Sequence, residues 1–293
     1  MLLLQSIILG IPQGALYGLM GFGIALIFRS AGVMNFAHGT SGMIGTFIAF
    51  TIYSWTGSVI FAIAAALFSG GILGILIQRG LMSPVKNLSH GGMLIITLGL
   101  LMIFEGLAIL IWGTDFQQFP ELLAGSPIVM HLGSGKLIIP LNDLMITAVA
   151  LIASISLALF LKYARWGLAA RARAEDAVGA MVVGIDTKKI DALVWGIGIS
   201  LSVIVGILIA PKAYVHSQMM TNMQIYGFTA GVLGGFGSPF GAIGGGLVLG
   251  ILEKIVGAYI SPDYQLSIVL IIIILVLTFK PSGLFSRHYK GRV

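Results

Sequence analysis

Cysteine is absent from this 293-residue chain, so disulfides, thiolate-bound metals and cysteine nucleophiles are excluded. Charge is scarce as well: Asp, Glu, Lys and Arg make up 9% of the residues, against 58% hydrophobic residues and a mean hydropathy of +1.05. Those values lie outside the range of soluble domains and predict an all-α polytopic membrane protein. Missing too is the basic start of a cleaved leader. MLLLQSIILG carries no cation and no small-residue cleavage pattern follows it, so the first apolar run is expected to persist as a span. Neither paired carboxylates nor histidine spacing forms a metal site.

What the chain does contain is apolar runs of spanning length, at about 3–28, 39–55, 58–77, 92–112, 143–161, 192–210 and 266–279. The glycine-rich stretch 226–259 has room for two crossings, or for one crossing and a half-helix. Eight or nine spans result, in a single transmembrane domain covering 1–293. Taking Arg29, the segments 79–86 and 162–190, and the tail after Phe279 as cytoplasmic leaves only Lys136, Lys212 and Lys254 of the 16 basic residues elsewhere. That asymmetry follows the positive-inside rule, and nine crossings then put the N-terminus outside. The basic residues cluster at the ends of apolar runs, so the pI of about 9.6 reports topology rather than nucleic-acid binding. The external loop 113–142 shows no catalytic pattern and reads as a connector or a docking surface.

Glycine marks two interruptions. Gly231, Gly234, Gly235, Gly237, Gly241, Gly244, Gly245, Gly246 and Gly250 recur at spacings of three and four, with Ser238-Pro239 in their midst. This pattern predicts a broken or hairpin helix pair, or else close helix packing in lipid. Earlier, Gly32, Asn35, His38, Gly39 and Gly42 interrupt the apolar pattern between the first two spans. Paired interruptions point to a transport pathway. Asn35, His38 and Ser41 fall three residues apart and would share a helix face, where they either bond backbone groups freed at the break or line a substrate path. Glu105 and Glu253 each sit inside an apolar run, and each either ties helices together or faces that path.

Two enzymatic motifs can be tested. Gly39-Thr40-Ser41-Gly42 matches the G-x-S-G of intramembrane serine proteases, but that chemistry needs a histidine from another helix. His90, His131, His216 and His288 all fall in loops or at span ends, and His38 is on the serine's own helix. Gly133-Ser134-Gly135-Lys136 is a scrap of a phosphate-binding loop, with Leu137 where Ser or Thr is required and no glycine at position 130. If ATP drives this protein, a second polypeptide binds it.

Residues 162–190 form a charged stretch too long for a simple turn, and a polar segment between apolar spans must leave the bilayer. High alanine content predicts a short helix over 168–183, with Arg171 and Glu175 paired at i, i+4 and with Ala174, Ala177, Ala180 and Met181 on a small-residue face. Such a helix suits insertion into a partner's groove, and the plainer reading is a solvated basic loop.

Four motifs in order, NFAHG (35–39), YARWGLAARARAEDAVGAMVVGID (163–186), GFTAGVLGGFGSPFGAIGGGLVLGILE (227–253) and FKPSGLF (279–285), resemble the permease family of branched-chain amino-acid ABC importers, most closely its H-type subunit. The resemblance implies a heterodimer with a second permease subunit, two cytoplasmic ATPase subunits that bind ATP and Mg, and an external substrate-binding protein, in a bacterial inner membrane. It implies no cofactor in this chain. It further implies that Arg165, Gly167, Arg171, Arg173, Glu175, Asp176 and Gly184 belong to the segment that couples to an ATPase. Asn35, His38, Ser41, Glu105, Gly231, Gly234, Gly235 and Glu253 are the expected pathway residues. Branched-chain or other neutral amino acids are the expected substrates, while urea, short amides and aromatic acids are carried elsewhere in the family. A secondary transporter is the rival class, but it would normally show ion-coupling carboxylates in the broken helices, and the breaks here read as glycine-rich, with His38 and no acid.

Overall fold

The computed structural model describes residues 2–85, 89–132, 135–280 and 282–285. Lys86, Gly133 and Ser134 of the phosphate-loop scrap, Pro281 of FKPSGLF, and the basic tail from Ser286, His288 included, lie outside them. Eleven α-helices occur among the described residues: α1 (Leu2–Ala31), α2 (His38–Thr56), α3 (Val59–Leu76), α4 (His90–Trp112), α5 (Leu141–Tyr163), α6 (Arg165–Glu175), α7 (Ala177–Val182), α8 (Thr187–Ala213), α9 (Thr221–Gly234), α10 (Pro239–Tyr259) and α11 (Gln265–Phe279). A wide π turn, Ile77–Met82, continues α3.

Among the described residues, seven helical segments are long and apolar enough to cross a membrane. The protein is a polytopic, all-α membrane protein, and the span count of eight or nine is approximate. Helix α2 buries Thr40, Ser41 and Thr46 and so dilutes its apolar signal. Helix α9 has 14 residues, about 21 Å of helix, short of a hydrocarbon core. Within the loop 113–142 the chain forms a hairpin that the sequence reading did not anticipate. Its strands β1 (Ile128–Leu132) and β2 (Gly135–Ile139) pair antiparallel, with Ile128 opposite Ile139. The Gln5 amide donates to the Ile138 carbonyl at 2.7 Å and accepts from the Ile138 N–H at 3.1 Å, pairing one exposed position of the hairpin edge.

The chain forms two compact units, each assembled from separated stretches. One contains Met1–Ala25, Glu121–Ser154 and Ile225–Val293. Its centre is the meeting of α1 with α10: a Cβ at Gly10, Gly14 or Gly18 would strike the α10 backbone around Gly250, Leu247 and Ile243, and one at Gly246 or Gly250 would strike α1 in return. Small residues four apart on both helices let the two backbones touch, which replaces the hydrophobic drive that lipid removes. The α1 half of this seam was not read from the sequence.

The second unit contains Leu26–Pro120 and Ile155–Gln224. Helices α2, α3 and α8 pack mutually there, and α4 packs on α2. Trp195 and Ile199 of α8 are buried with Ile77, Met82, Leu100 and Phe104. Gly42 and Gly74 sit against the α8 backbone at Ser202 and Trp195, where a methyl group would collide.

Two local expectations are corrected. The helix over 168–183 is two helices, because Asp176 adopts an extended conformation (φ −149°, ψ 108°) and caps α7 by accepting the Val178 N–H at 2.9 Å. Asp is a poor helix-interior residue and a good N-cap, so the chain restarts at Asp176 instead of running through it. The paired Arg171 and Glu175 do not meet; the Arg171 guanidinium donates to the Lys162 carbonyl at 3.3 Å. The small-residue face is split as well, with Ala180 buried and Met181 exposed.

Candidate pathway and coupling sites

The early interruption is built by capping at a distance. Helix α1 ends in Gly32, whose positive φ (70°) lets its N–H reach the Phe28 carbonyl at 2.8 Å. Residues 32–37 are non-helical. Asn35 Oδ1 turns back to accept the Ala37 N–H at 3.0 Å, so Asn35 precedes α2 and does not share a helix face with His38 and Ser41. Gly39 and Gly42, expected at the break, lie inside α2.

Ala37 gives α2 no side-chain cap. Gln224, at the start of α9, takes that role: its Oε1 accepts the Gly39 N–H at 2.5 Å and its Nε2 donates to the Asn35 carbonyl at 3.2 Å. One amide thus satisfies a carbonyl within the break and an N–H in the first turn of α2. Ser202 Oγ donates to the His38 carbonyl at 2.8 Å, and Ser41 Oγ donates to the Ala37 carbonyl at 2.5 Å. The side chains at the centre are less well served. Asn35 Nδ2 and both ring nitrogens of His38 are buried with no hydrogen-bond partner among the described residues. His216, weighed above as a base, lies after α8 with its ring 4.6 Å from that of Phe116. Burial pushes its imidazole below the ordinary value.

Gly231 and Gly234 end α9 and Gly235 opens the later interruption, and close packing or backbone conformation explains each. A Cβ on Gly234 would strike the Gly241 backbone, and one on Gly231 would meet the Phe236 ring. Gly235 has a φ of 88° and lies against Gly283, while the Leu284 N–H donates to the Leu233 carbonyl at 2.7 Å. Ser238 then starts α10, its Oγ accepting the Gly241 N–H at 3.1 Å with Pro239 in the first turn. The predicted broken pair is therefore present, with its break at 235–238.

Glu253 is buried and partnered. Gln13 Nε2 donates to Tyr17 Oη at 2.8 Å, and Tyr17 Oη donates to Glu253 Oε2 at 2.6 Å. Tyr226 stacks on Tyr17 with ring centroids 4.4 Å apart. Glu105 differs: it is half-buried on α4, with no ion-pair or hydrogen-bond partner among the described residues. Neither Tyr17 nor Gln224 was singled out from sequence. A lone Gln in the apolar stretch that opens α9 was the available signal.

On the charged segment, Arg173 and Ser30 converge on Asp191 of α8. The guanidinium lies 3.2 Å from Asp191 Oδ2 and Ser30 Oγ donates to Oδ1 at 2.5 Å, so α6 and the last turn of α1 are fastened to one carboxylate. Asp186 caps α8 through the Lys189 N–H at 3.1 Å, and that bond leads the effects holding its carboxyl below the usual range. Gly167 is buried where α6 folds back on the Phe160 carbonyl, and Gly184 ends α7 in the left-handed region (φ 85°). Arg165, Arg171, Glu175 and Asp176 are exposed. Beside them α7 presents Val178 at 66% and Val182 at 81% exposure, with Val183 at 75% just after it.

Multiple spans, two helix interruptions and a polar excursion with an apolar crest together define a multi-pass membrane protein of the transport class. The model for the permease component of branched-chain amino acid transport systems matches residues 6–277, and the chain belongs to that family. It is 32% identical over 303 residues to the high-affinity branched-chain amino acid transport system permease protein LivH of Escherichia coli K12, covering 99% of this chain and 97% of that one. Similarity to BraD of Pseudomonas aeruginosa, of the same description, is 30% over 300 residues, with 99% and 98% covered. A probable LivH of Methanocaldococcus jannaschii is 26% identical over 286 residues, with 93% and 89% covered.

Proposed function

We propose that this chain, residues 1–293 acting as one permease domain, is the H-type subunit of an ATP-driven importer of branched-chain or other neutral amino acids in a bacterial inner membrane. It pairs with a second permease subunit. An external binding protein delivers substrate, and two cytoplasmic ATPase subunits hold ATP and Mg, with no catalytic site or cofactor in this chain.

The observation that carries the reading is the α7 crest. Val178, Val182 and Val183 stand exposed on a segment too charged to lie in lipid, and an uncovered apolar ridge in water fits the groove of a protein partner. Arg165, Gly167, Arg171, Arg173, Glu175, Asp176 and Gly184 belong to the same segment and form the coupling element with that ridge. When the ATPases close, α6 and α7 move as a rigid body, and the Arg173–Asp191 contact passes that movement to α8.

Asn35, His38 and Ser41 form the polar part of the substrate pathway, with Gln224 holding the break in shape. Glu105, Glu253, Gly231, Gly234 and Gly235 complete the assignment, the glycines by setting the geometry of the second break. Selectivity resides mostly in the binding protein, because a pathway must hold substrate weakly enough to release it.

The test replaces Glu175 and Asp176 together by Lys. Stimulation of the ATPases by loaded binding protein should fall to the basal rate while the chain still inserts and resists proteolysis. Transport at the wild-type rate in that double variant would overturn the coupling assignment.

A further inference from the structure

Helices α3 and α8 enclose a groove of about 520 Å³ that none of the roles above uses. Its floor is bare because Gly71 and Gly196 lack side chains, and Ile75 and Ile197 supply apolar walls. Ser200, at one edge, donates to the Leu67 carbonyl at 3.3 Å. Gly71, Ile75 and Arg79 follow one another at helical spacing, so the groove runs along α3 for about 12 Å. It ends in two cations and an indole: Arg79, Lys189 and Trp166.

Arg79 has no ion-pair partner among the described residues, and it sits in the π turn that reshapes the end of α3. Lys189 contacts Asp186 at 3.1 Å, but both side chains are about half exposed or more, so that pair leaves other ammonium donors available. The charged end coincides with the basic segments that the positive-inside rule assigns to the cytoplasm, and tryptophan is the residue favoured at headgroup depth.

A smooth apolar channel within a span, closed at the membrane surface by two cations and an indole, is complementary to one kind of molecule. We propose that this groove binds an anionic phospholipid of the cytoplasmic leaflet, with one acyl chain along Gly71 and Gly196 and the phosphate between Arg79 and Lys189. Cationic pockets between helices hold such headgroups by charge, and the apolar walls select a lipid over a free phosphate. A zwitterionic lipid gains less there because its own amine opposes the two cations.

The experiment purifies the full transport complex from its own membrane in mild detergent and measures retained phospholipid by mass spectrometry. Wild type should retain anionic lipid. Arg79→Ala with Lys189→Ala should retain on the order of tenfold less. Gly71→Leu should lose it with both cations intact; a Cβ there meets only Ser200 Oγ, at an ordinary 3.5 Å. Added phosphatidylglycerol should raise the melting temperature of wild type and of neither variant, whereas phosphatidylcholine and inorganic phosphate should not. Arg79→Gln with Lys189→Gln replaces any variant that fails to assemble. Equal retention in all forms overturns the proposal, as does displacement of the lipid by leucine or a cross-link from position 71 to the second permease subunit.

Discussion

The two helix interruptions look alike in sequence and differ in what they do with polar groups. At 235–238 the break is closed: glycine backbones touch, Ser238 caps the next helix, and Leu284 pairs with Leu233. At 32–37 the backbone is satisfied by Gln224 and Ser202, yet the side chains of Asn35 and His38 leave buried nitrogens without partners. Glycine and broken periodicity therefore mark where a helix stops, and the hydrogen-bond inventory separates a packing joint from a polar site. A buried group with no partner costs about 1–3 kcal/mol, and two such side chains stand at this one break.

The comparison can be broken most forcefully at Gly234. Gly234→Val forces side-chain atoms into the Gly241 backbone, and overpacking of this kind costs about 1–3 kcal/mol or more. The yield of folded protein by size-exclusion chromatography should collapse. Normal yield would show that the second break is not a packed joint. Gln224→Ala comes next, because it strips partners from the Gly39 N–H and the Asn35 carbonyl together. A loss of about 1–3 kcal/mol should appear as a lower melting temperature, with transport reduced in step.

Ser238→Ala removes one cap and should cost about 1 kcal/mol while transport per folded molecule stays within about twofold of wild type. A larger transport defect would make the second break functional in its own right. The smallest stability effect is expected for His38→Leu. Exchanging an unpartnered buried imidazole for an apolar group of similar size removes an unsatisfied polar group, so stability should hold or rise while transport falls. Parallel loss of both would return His38 to a purely structural role, and His38→Ala adds a cavity whose cost must be measured beside it.

Much of this architecture is legible in the sequence because lipid imposes a coarse filter. Runs such as 92–112 and 143–161 are apolar save for Glu105, Asp143 and a few hydroxyls, and α4 and α5 follow them to within two residues at each end. The second break was equally readable, since Ser238-Pro239 is both a helix stop and a helix start. What escaped depends on contacts between residues far apart in the chain. Gln224 is an ordinary amide until Gly39 is placed beside it, and Gly10, Gly14 and Gly18 are ordinary small residues until Gly246 and Gly250 face them. The split of the helix expected over 168–183 has a local cause, and Asp176 in an alanine-rich run was the signal for it.

The seam between α1 and α10 sets a timetable for biogenesis. Tyr17 and Glu253, which meet across it, lie 236 residues apart. At synthesis rates of about 5–20 residues per second, the first helix waits roughly ten to fifty seconds for its partner. Throughout that interval its glycine face must be held by lipid, by the insertion machinery or by a passing helix. Helix α1 meets this neighbour only after the whole intervening chain has been made.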